Sequence, residues 1–167
     1  VAFMTGYSQT IMTRVVENLL YHQLIKIEGT KQKTIHFTLP RRDLWENTVG
    51  EEKLTSPVTK QVFVDALPAN IKMLRANATA LTEYSDMNPY NQEYYAIHRT
   101  IYNSLVKENK FQHANPTEGK YCLEIWKYNP FGLTTHNQIL KEVVDPLSLY
   151  LSMKDIQDER TQMALEQ

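Results

Sequence analysis

A single cysteine, Cys122, stands in a chain of 167 residues. One thiol closes no intramolecular disulfide and anchors no Cys-rich metal site, so neither framework is expected. Glycine is almost as sparse, with only Gly6, Gly29, Gly50, Gly119 and Gly132. Five scattered glycines make no phosphate-cradling loop and no nucleophile elbow. The histidines, His22, His36, His98, His113 and His136, contain no i,i+3 or i,i+4 pair, so neither a metal nor any other cofactor is expected. No apolar run nears the roughly 20 residues that cross a bilayer, which excludes a transmembrane helix, and no membrane partner is expected. The opening residues put no charged segment ahead of an apolar core, so no secretory signal is expected and the location expected is cytoplasmic. The chain starts at Val1, and "VAFMT" reads as the tail of a helix, so upstream residues are expected.

What is present is ordinary in bulk and uneven in detail. Hydrophobic residues make up 42% and charged residues 22%, the balance of a globular chain long enough for one ordinary domain or two small ones. The net charge of −1 hides an asymmetry. Residues 1–80 carry 10 Lys/Arg against 7 Asp/Glu, and residues 81–167 carry 8 against 12. A polyanionic partner therefore belongs at the N-terminal end.

That end has a legible pattern. Ser8 is a good N-cap. Behind it Ile11, Met12, Val15, Val16, Leu19 and Leu20 recur at helical spacing and predict one broad buried face. Opposite lie two polar rows, Gln9–Thr13–Glu17 and Thr10–Arg14–Asn18, each at i,i+4 spacing. "LIKIEG" (24–29) and "KTIHFTL" (33–39) alternate as strands around a lysine-bearing turn, which predicts a hairpin ended by Pro40. "RRDLWENTV" follows as a short helix with Leu44 and Trp45 inward.

Beyond it, Val58–Val64 reads as a strand and "ANIKMLRANATALTEYS" (69–85) as helical. "EYYAIHRTIYNSLVKEN" reads as a strand followed by a helix, and "KYCLEIWKYNP" as the clearest strand of the second half. The last 23 residues predict helices on either side of Lys154–Gln157. Leu147, Leu149, Leu151, Met153, Ile156, Met163 and Leu165 are expected to face inward there, with Asp155, Asp158 and Glu159 outside.

Helix, hairpin and basic turn are the order of the second half of a winged helix-turn-helix, whose recognition helix enters the major groove N-terminus first. Gln9, Thr10, Thr13 and Arg14 suit that role: Gln pairs with adenine, Arg with guanine, and Thr contacts a thymine methyl or a phosphate. Lys31 and Lys33 at the turn would sit near the sugar–phosphate backbone. The competing reading is an amphipathic helix packed on a small sheet. What favours DNA is a polar helix face with one acid, Glu17, beyond its first turns, combined with lysines in the turn.

The stretch "GYSQTIMTRVVENLLYHQLIKIEGTKQKTIHFTLPRRDLWE" also resembles the winged-helix segment of MarR-like bacterial regulators. There a Gly-Tyr-Ser turn, here Gly6-Tyr7-Ser8, leads into a helix of the form S-x-x-T-x-x-R; this chain has Thr10 and Met12-Thr13-Arg14 where relatives often have Met-Thr and Ser-Arg. The resemblance implies that Val1–Thr5 ends the preceding helix of the motif, and that the motif's earlier helices lie outside this sequence. "LEIWKYNP" (123–130) and the stretch from Val143 to Gln167 are similar to segments downstream of the winged helix in abortive-infection type IV antitoxin-like regulators.

An enzyme reading has one foothold. Glu124 and Lys127, with Asp86 or Asp145, faintly match the carboxylate–lysine set of restriction-type nucleases, which hold Mg²⁺ at the reacting phosphate. The usual spacing is two, which puts both side chains on one strand face; here it is three, which puts them on opposite faces. They then read as exposed charges flanking a core strand, and no catalytic residue is assigned.

The expectation is an α+β protein. Residues 1–50 form a truncated winged-helix DNA-binding region with Ser8, Gln9, Thr10, Thr13, Arg14, Lys31 and Lys33 at the DNA. Residues 51–167 form an α+β domain for dimerisation or partner binding. The expected function is sequence-specific DNA-binding transcriptional regulation, not catalysis, with double-stranded DNA and a second copy of the chain as partners. An antitoxin that binds a cognate toxin and controls its own operon is the alternative, with a metal-dependent nuclease behind it.

Overall fold

Alternating and helical patterns along the chain resolve into two compact units, residues 1–54 and 55–167. The computed structural model describes residues 7–30, 32–50, 54–111, 114–135, 137, 139 and 141–166. Both units mix helices with a sheet, so the protein is α+β. No helix among the described residues is long and apolar enough to cross a membrane.

The N-terminal unit runs helix α1 (Gln9–Tyr21), strands β1 (Ile25–Glu28) and β2 (Thr34–Phe37), and helix α2 (Arg41–Gly50). α1 ends at a Schellman turn: Gln23 takes φ 56°, Leu24 N–H donates to Leu19 O, and Gln23 N–H to Leu20 O. Those two bonds satisfy carbonyls that a helix end otherwise leaves orphaned, and the turn sends the chain straight into β1. β1 and β2 pair antiparallel, Ile25 opposite Phe37 and Ile27 opposite Ile35, so four apolar side chains share one face. Gly29 closes the turn at φ 94°, and a Cβ there would lie 2.1 Å from Gln32 O, so glycine is required. Thr38 ties the open end by donating its hydroxyl to Gln23 O at 2.8 Å. In α2, Leu44 and Trp45 are half-buried and Thr48 is buried.

The C-terminal unit is built on a four-stranded sheet of order β3-β6-β5-β4. Its strands are β3 (Val58–Val64), β4 (Leu74–Arg75), β5 (Glu93–His98) and β6 (Tyr121–Trp126). β6 runs antiparallel to β3 and parallel to β5, while β4 runs antiparallel to β5. A parallel pair needs a crossover, and helix α4 (Arg99–Lys107) supplies it between β5 and β6. The remaining helices are α3 (Asn77–Leu81), α5 (Pro146–Met153) and α6 (Glu159–Leu165).

Strand periodicity distributes the core over both faces of this sheet. Leu123 and Ile125 of β6 pack with Val62, Val64 and Ile97, and with Tyr102 and Leu105 of α4. Trp126, on the opposite face of β6, packs with Leu81 of α3, Leu149 and Met153 of α5, and Ala164 of α6. The sheet's outer strands are not bare: Phe63 exchanges both backbone bonds with Asn115, and Arg75 bonds Glu142 and Val144.

Three local expectations change. The stretch 69–85 holds the strand Leu74–Arg75 and only a five-residue helix, because Leu74 is needed in the core and Ala76 N–H pairs with Tyr94 O. Tertiary pairing there overrides helical propensity. Leu147 and Met163 are exposed, not inward, whereas Leu149, Leu151 and Met153 are buried as expected. On α1 the covered stripe narrows to Met12, Val16 and Leu19, half-buried, while Ile11, Val15 and Leu20 are exposed. The small hairpin covers one stripe of that helix, not a broad face.

Candidate nucleic-acid interface

Spacing on α1 decides what it offers to solvent. Residues four apart stack on one face, so with Met12, Val16 and Leu19 covered, Thr10, Arg14 and Asn18 point the other way. Gln9, Thr10, Thr13 and Arg14 are all exposed, and the first turn carries no acid. Arg14 and Asn18 share a shallow depression with Ile11, Val15 and Leu19. The helix therefore presents a guanidinium and small polar groups beside an apolar strip. Thr13 donates its hydroxyl to Gln9 O at 3.0 Å.

Ser8 begins the helix in extended conformation, and its Oγ accepts from Ile11 N–H at 3.4 Å. That is the N-cap arrangement, at a length near the limit of a hydrogen bond. Replacing Ser8 by alanine is expected to cost about 0.5–1 kcal/mol of the N-terminal unit's stability, the low end for a lost cap. Thermal unfolding followed by circular dichroism checks it, and an unchanged midpoint would remove Ser8 from the capping role.

The hairpin sets Lys26 opposite His36 and Glu28 opposite Thr34 on its polar face. Lys33 is exposed at the turn, and Lys31 lies outside the described residues, as do Val1–Thr5, Gly6, His113 and His136. Glu28 comes within 3.7 Å of His36, both well exposed. Lys26 and His36 were not among the residues expected at the DNA, although the strand alternation already placed them on one face. Arg41 and Arg42 open α2, exposed, with Arg42 paired to Glu46 at 2.8 Å.

The residues weighed for nuclease chemistry are arranged differently from the sequence reading. Glu124 is completely buried in the middle of β6, not an exposed charge. Its Oε1 accepts from Asn77 Nδ2 at 2.7 Å and Gln61 Nε2 at 3.2 Å, and its Oε2 from Trp126 Nε1 at 3.2 Å. Burial pushes its carboxyl above the ordinary range, against the pull of those three donors. Lys127 is exposed and bonds Thr55. Asp145 caps α5 by accepting from Ser148 N–H at 2.9 Å, is buried, and its Oδ2 has no hydrogen-bond partner among the described residues. Among the described residues no three His, Cys, Asp or Glu side chains converge as a metal site.

The same burial pushes the Cys122 thiol up to about 12, so at neutral pH it is a small apolar group and not a nucleophile. Glu124 was misread because one glutamate between apolar neighbours looks like a solvent-facing position. The available signal was that Cys122 and Trp126, two residues to either side, share its face and are both residues of interiors. The chain matches no family model, no curated protein and no solved structure.

Proposed function

We propose that this protein is a sequence-specific DNA-binding regulator of the MarR-like winged-helix type, acting in the cytoplasm as a dimer and performing no catalysis. The observation that carries the reading is the exposed, acid-free start of α1, with Thr10 and Arg14 directed away from the helix's covered stripe. Three features support it. α1, the hairpin and α2 follow in winged-helix order, Ser8 starts the helix where the reading end must begin, and Lys26 and Lys33 are exposed on the hairpin. In this reading Arg14 pairs with a guanine edge, Gln9 with adenine, and the hairpin lysines rest on phosphate. Ile11 and Val15 lie exposed beside Arg14 on the same helix.

The test is a titration of the full chain against DNA from its own promoter and against random DNA, each in about 50 and 200 mM salt. Phosphate contacts release counterions, so about three of them predict a loss of about 40-fold in affinity over that range. Preference for the promoter at both salt concentrations is the expected result. Equal binding to both DNAs, or none, would reject the reading and turn attention to a protein partner of the C-terminal unit.

A further inference from the structure

We propose that the outer edge of β2, from Thr34 to Leu39, is a contact surface for a second copy of this chain, the two β2 strands pairing antiparallel about a two-fold axis at His36.

The edge is open for a backbone reason. β2 pairs with β1 and with no other described strand. Thr38 N–H donates to Leu24 O. Alternate residues of a strand aim their backbone groups the same way, so Thr34, His36 and Thr38 face β1. Ile35 and Phe37 therefore turn their N–H and C=O groups outward, and among the described residues these groups meet no backbone partner. The same two residues and Leu39 carry exposed apolar side chains, and Phe37 is 60% exposed. An unpaired apolar edge without a bulge is what an added strand recognises. In the C-terminal unit, by contrast, Phe63 and Arg75 on the outer strands already have their backbone bonds.

What fits this edge is the edge itself. Strand edges commonly ward off their own copies with charged side chains or proline. From Thr34 to Leu39 β2 has neither, since Lys33 stands before that stretch and Pro40 after it. An axis at His36 sets Ile35 opposite Phe37 of the second copy, and Phe37 opposite Ile35 of that copy. Each of these pairs exchanges both its backbone bonds, and each sets a β-branched residue against an aromatic one. On the other face Thr34 meets Thr38 and His36 meets its counterpart, so no lysine, arginine or carboxylate opposes its like. β1, the hairpin's other strand, carries Lys26 and Glu28 and has Ile25 buried. Each hairpin thus offers one such edge, and the assembly closes at two copies.

The inference stands apart from the DNA reading, which calls for a second copy but gives it no place on the chain. It moves the contact from residues 51–167, where the sequence reading put dimerisation, to the hairpin.

Sedimentation of the full chain without DNA, at concentrations up to about 1 mM, measures the association. One short strand edge is a small contact, so a dimer that dissociates on dilution is expected. Phe37→Lys acts at both ends of the pairing and is expected to weaken it on the order of tenfold or more. A second pair of variants reads the register and decides even where Phe37→Lys fails to fold. Cys122 is buried, so a cysteine added on the hairpin's polar face is the accessible thiol. His36 and its counterpart would lie about 4.5 Å apart at Cα, within disulfide reach. His36→Cys is therefore expected to give a disulfide-linked dimer with oxidised glutathione as oxidant. Lys26→Cys, exposed on the same face of β1, is expected to give none. A chain monomeric throughout, a dimer indifferent to Phe37→Lys, or equal cross-linking of the two cysteine variants would overturn the proposal. None of these readouts involves DNA, so their failure and a failure of promoter binding are told apart.

Discussion

Trp126→Ala is expected to lose about 3–5 kcal/mol of stability, the range for removing a large aromatic from a core. Trp126 is 0% exposed and sits where β6 meets the helices of one sheet face, among Leu74, Leu81, Val143, Leu149 and Met153. Two losses combine. The indole leaves a void that β6, bonded on both sides to β3 and β5, cannot close. Its ring also stands edge-on to Tyr128 at 5.6 Å, and its Nε1 is one of the three donors on Glu124. Removing that donor leaves a buried carboxyl with a poorer shell, which adds to the cost of the cavity. Urea unfolding by far-ultraviolet circular dichroism measures the effect as a lower midpoint at unchanged slope. A loss under about 1 kcal/mol would mean that β6 relaxes into the space, contrary to its central place in the sheet.

Arg14→Ala has the largest expected effect on binding. A bidentate arginine–guanine pair is worth about 1–3 kcal/mol of discrimination, or roughly tenfold to over a hundredfold in promoter preference. If α1 reads DNA as proposed, the variant is expected to keep its non-specific affinity, because Lys26 and Lys33 are on the hairpin and untouched. Lys33→Ala should do the reverse, weakening binding to every DNA alike and reducing the salt slope by about one contact. Competition binding with labelled promoter DNA separates these outcomes. Arg14 is exposed and lies on α1 opposite the covered stripe, so its removal leaves the fold intact and the readout concerns recognition. Unchanged promoter preference in Arg14→Ala would exclude α1 as the reader.

Particular residues show how far the chain's own pattern reached. Alternation in 24–29 and 33–39 gave the hairpin and its apolar face, and Ser8 started α1 as its side chain required. Val58–Val64, the β5–α4 pair and the two C-terminal helices also matched their patterns. The pattern misjudged Leu147 and Met163, which are apolar and exposed, because periodicity marks what could be buried without saying how much surface arrives to bury it. It misjudged Leu74–Arg75 for a related reason. Two residues of strand have too few positions to show a period, and only pairing with β5 defines them.

By itself the sequence determined that the chain is α+β, that its N-terminal helix is capped at Ser8, and that Gln9, Thr10, Thr13 and Arg14 stand in polar rows. These are local properties, set by side-chain chemistry within one or two turns or one hairpin. Only the tertiary structure decided that Glu124 is inside, that Asn77 and Gln61 meet it from 47 and 63 residues away, and that Ile11 and Val15 stay uncovered. Burial depends on what a strand order of β3-β6-β5-β4 and its helices bring together. No run of neighbouring residues carries that information, since a strand reads the same in sequence whether one of its faces is covered or both.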